Sequence, residues 1–165
     1  RKPDFARKKV DLNRAIRIVH GIAAQQLKLE NIFVNLELEE NIPFILAHNT
    51  RLEQVTFNLV TNAQDAILQK TKAGLETGAS TITIRTFAEN DHVAVTVSDN
   101  GIGIPENVQH KVFEPFFTTK EVGKGMGLGL SITYGIVKDY NGQIEIQSRE
   151  GLGTTIKLTF PCADA

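Results

Sequence analysis

The stretch Val93-Ala94-Val95-Thr96-Val97-Ser98-Asp99-Asn100-Gly101-Ile102-Gly103-Ile104-Pro105 alternates apolar and polar residues, then breaks into glycines. Val93, Val95 and Val97 share one face of a strand, and Asp99 is in phase with them. A carboxylate that closes a core-facing row must find donors, because a buried unpaired charge costs several kcal/mol. Two arrangements satisfy it: Asp99 reaches solvent and caps the turn, or it accepts from a ligand. The glycines turn the chain sharply and allow a flat ligand to approach the backbone. An amino-bearing base such as adenine suits that position, its exocyclic NH₂ donating to the carboxylate.

Around this stretch lie 165 residues, 41% hydrophobic and 22% charged. That is the length of one domain, burying roughly 70% of the unfolded chain's surface without a disulfide or metal clamp. Lys and Arg number 18 against 19 Asp and Glu, for a net charge of −1. There is no basic excess, so no nucleic-acid partner is expected. No apolar run approaches the ~18 residues of a membrane span, and no signal-peptide pattern opens the sequence. Cys162 stands alone and forms no internal disulfide. A reducing, cytoplasmic setting follows as the expectation.

Residues 1–10, RKPDFARKKV, are basic and aperiodic, and are assigned to a linker. Residues 11–165 are assigned to the domain. Asp11 is placed as an N-cap, and Leu12, Ile16, Val19, Ala23 and Leu27 recur at helical spacing. Ile32 to Leu38 alternates as a half-buried strand, followed by a loop through Pro43. Residues 51–70 form a second helix. Strands near 80–88 and 92–99 are joined by a turn at Glu89-Asn90-Asp91. A Gly- and Pro-rich segment, about 104–127, is too long for a simple connection and is expected to be a lid. Leu128 to Tyr140 is a helix ending at Asn141-Gly142, with Gly142 as its left-handed cap. Strands at 143–148 and 153–160 close the chain. This order predicts an α/β two-layer sandwich, a mixed β-sheet with helices on one face.

Two further features carry chemistry. On the second helix, with Gln54 at zero, the apolar arc runs from about 100° to about 240°, with Asn58 near 40° and Asn62 near 80°. Both carboxamides border the buried stripe. They serve a cleft, where their oxygens meet Mg²⁺ or their amides a phosphate, or they simply face water. Gly123-Lys124-Gly125-Met126-Gly127-Leu128-Gly129-Leu130-Ser131 runs straight into a helix, whose N-terminal N–H groups suit an anion. Lys120 and Lys124 add positive charge there. The run matches neither GxxxxGK[ST] nor a GxGxxG after a strand, and a flexible loop satisfies it equally. Phe113, Phe116 and Phe117 cluster just before it, as core or as a latch. The four histidines are scattered and build no catalytic triad.

The order of these features resembles the boxes of sensor histidine kinases. Asn58-Leu59-Val60-Thr61-Asn62-Ala63-Gln64-Asp65-Ala66 resembles the N box, and Asp99 to Pro105 the G1 box. Phe113-Glu114-Pro115-Phe116-Phe117-Thr118-Thr119-Lys120 is similar to the F box, and Gly125 to Ser131 to the G2 box. Gly142, Ser148 and Gly151-Leu152-Gly153-Thr154 match the family's last two strands. The resemblance covers nearly the whole chain after residue 10.

It implies the Bergerat ATP-binding fold shared with gyrase, the heat-shock chaperone and mismatch-repair ATPases. ATP and Mg²⁺ are the implied cofactors, with Asn62 on the metal and Asn58 near the same cluster. Asp99 would hold the adenine amino group, with Gly101 and Gly103 shaping the pocket. Further implied contacts are Asp65, Ile104, Phe116, Thr119, Lys120, Lys124, Gly125, Gly127, Leu128, Gly129, Leu130 and Thr154. Asn58, Asn62 and Lys120 are the candidate catalytic residues. The hydrolysing members of the superfamily carry a Glu one turn before the metal-binding Asn; here that position is Asn58. A carboxamide is a poor general base, so ATP should be kept for another nucleophile. In the family this is a histidine followed by an acidic residue on an upstream dimerising helix, whereas His20 precedes Gly21. The implied partners are therefore a separate histidine-containing dimerisation domain and, through it, a response regulator receiver domain. The isolated domain is expected to be a monomer, and the full-length protein to be soluble or membrane-tethered. An ATPase of the same fold, an anti-sigma-type serine kinase and a non-catalytic ATP-binding module are the alternative readings.

Overall fold

The computed structural model describes residues 6–75, 78–114 and 129–164. In chain order the elements are β1 (Lys8–Val10), α1 (Leu12–Leu29), β2 (Ile32–Leu38), β3 (Ile45–Ala47), α2 (Asn49–Lys72), β4 (Ser80–Glu89), β5 (His92–Asp99), a 3-10 helix (Glu106–Lys111), α3 (Gly129–Asp139), β6 (Gln143–Arg149) and β7 (Gly153–Pro161). Five strands form one sheet in the order β2-β4-β5-β7-β6. β2 runs parallel to β4, and the other pairs are antiparallel, so the sheet is mixed.

Strand alternation decides what each face of this sheet carries. Register aligns Leu36, Ile84, Val97, Ile156 and Ile146 into one row across all five strands. The helices pack on this face: Leu12, Ile16 and Val19 of α1, Leu52, Val55, Leu59, Ala63 and Ile67 of α2, and Ile136 and Val137 of α3 join the same core. The opposite face presents Thr83, Arg85, Ser98, Thr155 and Lys157, with ion pairs from Lys157 to Glu89 (3.0 Å) and from Arg85 to Glu37 (3.3 Å). The architecture is the expected two-layer sandwich. Asp11 caps α1, its carboxylate accepting from the Asn13 N–H at 2.9 Å.

Three local readings need correction. Residues 8–10 are not a free linker: β1 pairs antiparallel with β3, and Val10 is buried. The loop through Pro43 contains β3 itself, and Ile45 also bridges to Cys162. Three-residue strands give a single alternation, too little for a pattern to show. At the end of α3 it is Asn141, at φ 59°, that takes the left-handed conformation. Gly142 is needed for a different reason, since a Cβ there would lie 2.4 Å from the Thr159 carbonyl oxygen. Within the segment read as a lid, Glu106–Lys111 is helical and Val112 is buried.

Candidate nucleotide-binding site

Next to the row of core side chains lies a second one: Val34, Ile82, Asp99, Thr154 and Ser148. Halfway along, it changes from apolar to polar. Asp99 therefore sits at the margin of the core, half-buried, on the helix-covered side of the last residue of β5. Its Oδ1 accepts from the Gly101 N–H at 2.8 Å. Burial pushes the carboxyl up from 3.8 to about 6, against the Gly101 and Thr154 N–H groups and the Lys70 ammonium, which pull it down. At neutral pH Asp99 is thus a carboxylate whose desolvation outweighs the donors it has. A further donor from a ligand would be well received.

The turn after Asp99 is pinned on every side. The Asn100 side chain accepts from the Thr81 N–H at 2.9 Å and donates to the Ala79 carbonyl at 2.6 Å. Lys70 Nζ donates to the Asn100 carbonyl at 3.1 Å. A Cβ on Gly101 would lie 2.5 Å from the Ala66 carbonyl carbon, and the Ile102 N–H donates to the Ala66 oxygen at 2.9 Å. Gly103, at φ 74°, packs on the Arg149 carbonyl. The Ile104 N–H donates to Ser148 Oγ at 2.8 Å, and Gln109 Nε2 donates to the Ile104 and Ser148 carbonyls at 2.9 and 3.1 Å. Both glycines are thus required by the protein's own backbone.

On α2, Asn58, Asn62 and Ala66 are spaced by four residues and lie along one stripe. Asn58 Nδ2 donates to the carbonyl of Gly129, the first residue of α3, at 3.3 Å. Ala66, at the other end of the stripe, touches the turn after Asp99. The stripe spans about 12 Å at the helical rise. Asn62 and Asp65 are both half-buried. Thr154 is buried beside Asp99, its hydroxyl 2.8 Å from Ser148 Oγ. Leu130 packs against the core from the start of α3. Phe116, Thr119, Lys120, Lys124, Gly125, Gly127 and Leu128 lie outside the described residues.

The donor set suits Mg²⁺ held together with phosphates better than a metal caged by protein alone. Asn58 and Asn62 offer neutral oxygens, and among the described residues no three His, Cys, Asp or Glu side chains gather. Sequence reasoning overlooked Lys70, Gln109 and the contact at Ala66. Lys70 did leave a signal: on the wheel used above it falls near 160°, in the middle of the apolar arc. A lysine there must be buried, and it is. Gln109 and Ala66 left none, because a backbone contact between distant segments has no periodicity.

The chain is thus a two-layer sheet-and-helix domain with a half-buried carboxylate at the margin of its core and a carboxamide stripe on the helix beside it. Residues 47–164 match the family of histidine kinase-, DNA gyrase B- and HSP90-like ATPases, and the chain belongs to that family. It is 36% identical to the sensor kinase CckA of Brucella abortus (strain 2308) over 96% of its own length and 20% of that protein's. It is 34% identical to sporulation kinase A of Bacillus subtilis (strain 168) over 92% of its length and 23% of that protein's. The chain thus spans about a fifth of the curated relatives it matches. Among solved structures, the nucleotide-free catalytic domain of histidine kinase ThkA superposes with a TM-score of 0.79 at 33% identity, covering 96% of this chain and 97% of that one. ThkA in complex with the response regulator protein TrrA matches at a TM-score of 0.74 and 30% identity, covering 95% of this chain and 42% of that one. Family membership implies ATP binding. No helix among the described residues is long and apolar enough to cross a membrane.

Proposed function

We propose that this domain binds Mg-ATP and supplies its γ-phosphate to a histidine on a separate acceptor domain. The observation that carries the reading is the α2 stripe. One end, Ala66, abuts the turn that presents Asp99; the other, Asn58, abuts the start of α3. A nucleotide laid along it has its adenine amino group at Asp99 and its phosphates at Asn58, Asn62 and the α3 N-terminus. Asn62 offers its oxygen to Mg²⁺, which would supply charge neutralisation at the phosphates. Lys120 and Lys124 add positive charge there on sequence grounds.

The residues present favour transfer over hydrolysis. Asn58, whose amide donates to the Gly129 carbonyl, has no basic atom with which to activate water. The acceptor is the histidine-containing dimerisation domain of the same kinase, and the phosphoryl group passes on to a response regulator. The kinase names of the relatives and the ThkA–TrrA complex support this chain of partners. We place the domain in the cytoplasm, as a monomer when isolated. Calorimetry tests the first step: Mg-ATP should bind with a single site per chain and GTP weakly, because guanine offers a carbonyl where adenine offers NH₂. No heat at millimolar Mg-ATP, or GTP competing as well as ATP, would sink the reading.

A further inference from the structure

We propose that Ser148 is a positioning residue at the base end of the site, which fixes the hydroxyl proton of Thr154 so that Thr154 offers a ligand only lone pairs. The inference deepens the reading of Asp99 as the adenine acceptor and rests on it. Register sets Ser148 of β6, Thr154 of β7 and Asp99 of β5 side by side in one row across the sheet. Directly opposed side chains on neighbouring strands stand about 4.5–5.5 Å apart at Cβ, so a group that meets Asp99 comes within reach of Thr154.

A serine hydroxyl has one proton to give and two lone pairs to receive with. Ser148 Oγ has three neighbours. The Ile104 N–H donates to it at 2.8 Å. The Gly153 carbonyl, 3.0 Å away, can only accept, so the serine proton belongs there. Thr154 Oγ1 lies at 2.8 Å. With the proton of Ser148 spent on Gly153, Thr154 must supply the one between the two hydroxyls. The reverse assignment leaves Ser148 Oγ and the Gly153 oxygen 3.0 Å apart with no proton between them, which is a repulsive contact. One arrangement satisfies all three neighbours.

The consequence falls on the pocket. Thr154 is only 4% exposed, and among the described residues no donor meets its two remaining lone pairs. Asp99, as a carboxylate, also only accepts. Two acceptors side by side suit a group with two N–H donors, such as the exocyclic amine of adenine, met directly or through a water. They repel a carbonyl in the same place. A threonine free to rotate would donate to that carbonyl as readily as it accepts from the amine. Ser148 removes that freedom.

Inosine triphosphate, which carries a carbonyl where ATP carries the amine, is the probe. Ser148→Ala releases the Thr154 hydroxyl. It should weaken Mg-ATP and narrow the ATP-to-ITP affinity ratio by roughly three- to tenfold, the worth of one hydrogen bond. Gln109→Ala loosens the same turn by removing the donor to the Ile104 and Ser148 carbonyls, and should weaken both nucleotides without moving the ratio. On a Thr154→Val background, Ser148→Ala should leave the ratio where it is. A ratio unmoved in folded Ser148→Ala, narrowed equally in Gln109→Ala, or still narrowing without the Thr154 hydroxyl would overturn the proposal. The unaltered chain gives a check that needs no variant to fold. Neutron diffraction from deuterium-exchanged crystals should place the Thr154 deuteron toward Ser148 Oγ and the Ser148 deuteron toward the Gly153 carbonyl. A Ser148 deuteron directed at Thr154 also overturns it. If the parent binds neither nucleotide while the deuterons lie as expected, the nucleotide reading falls and the fixed polarity of Thr154 stands.

Discussion

Asp99 is ionised at the expense of the fold. Its carboxyl lies at about 6 in the folded chain against 3.8 for the exposed group. A raised carboxyl contributes stability that is fully present below about 4 and lost as pH rises through about 6. At pH 7.5, Asp99→Asn removes that burden, worth up to about 2–3 kcal/mol. Thermal unfolding at pH 7.5 should therefore show the variant melting several degrees above the parent. The same change should weaken Mg-ATP roughly ten- to a hundredfold, since the charge-assisted bond to the amine is lost. In the unaltered protein, affinity for ATP should decline as pH falls through about 6. The two glycines nearest the site separate fold from function. Gly101→Ala forces a methyl to within 2.5 Å of the Ala66 backbone and should cost about 1–3 kcal/mol of stability. Gly129→Ala meets nothing nearer than Asn58 Cβ at 4.0 Å, so thermal stability should hold while ATP affinity drops more than adenosine affinity.

At the level of elements, what the sequence made legible follows the length of each repeat. α1 offered five apolar residues at helical spacing, and Leu12, Ile16, Val19 and Leu27 are indeed buried. β2 alternates over seven residues, and burial alternates with it. β1 and β3, at three residues each, had no periodicity to show and gain their place by pairing with each other, by the Ile45 bridge to Cys162 and by burying Val10, Ile45 and Ala47 in the core. The same holds at the site. Asp99 was visible because it continued a row of valines. The clamp that fixes the following turn was not, because it joins Ile104, Gln109 and Ser148 across segments far apart in sequence. That clamp is testable by hydrogen exchange. Ser148→Ala removes the acceptor of the Ile104 N–H, and protection of that amide should fall by an order of magnitude or so, at a stability cost of about 1 kcal/mol. Unchanged protection would mean the turn is held by Gln109 and the glycine contacts alone.

On the scale of the whole molecule, one sheet face makes the core and its polar margin makes the candidate site. The row that begins apolar at Val34 and Ile82 ends polar at Asp99, Thr154 and Ser148, so the same register that builds the domain aims the carboxylate. α2 runs from the turn after Asp99 to the start of α3, and in the proposed reading Asn58 stands where an acid would spend ATP on water. The central claim is that the nucleotide is held here for a nucleophile on another domain. Its most direct test supplies γ-labelled Mg-ATP to this chain together with a separately folded, histidine-bearing dimerisation domain of a sensor kinase. The account predicts label on the acceptor histidine, in an acid-labile and base-stable form, abolished by Asn62→Ala, with little phosphate released when the acceptor is left out. Steady release of free phosphate at roughly 1 s⁻¹ or faster without acceptor labelling would contradict it and make the domain an ATPase.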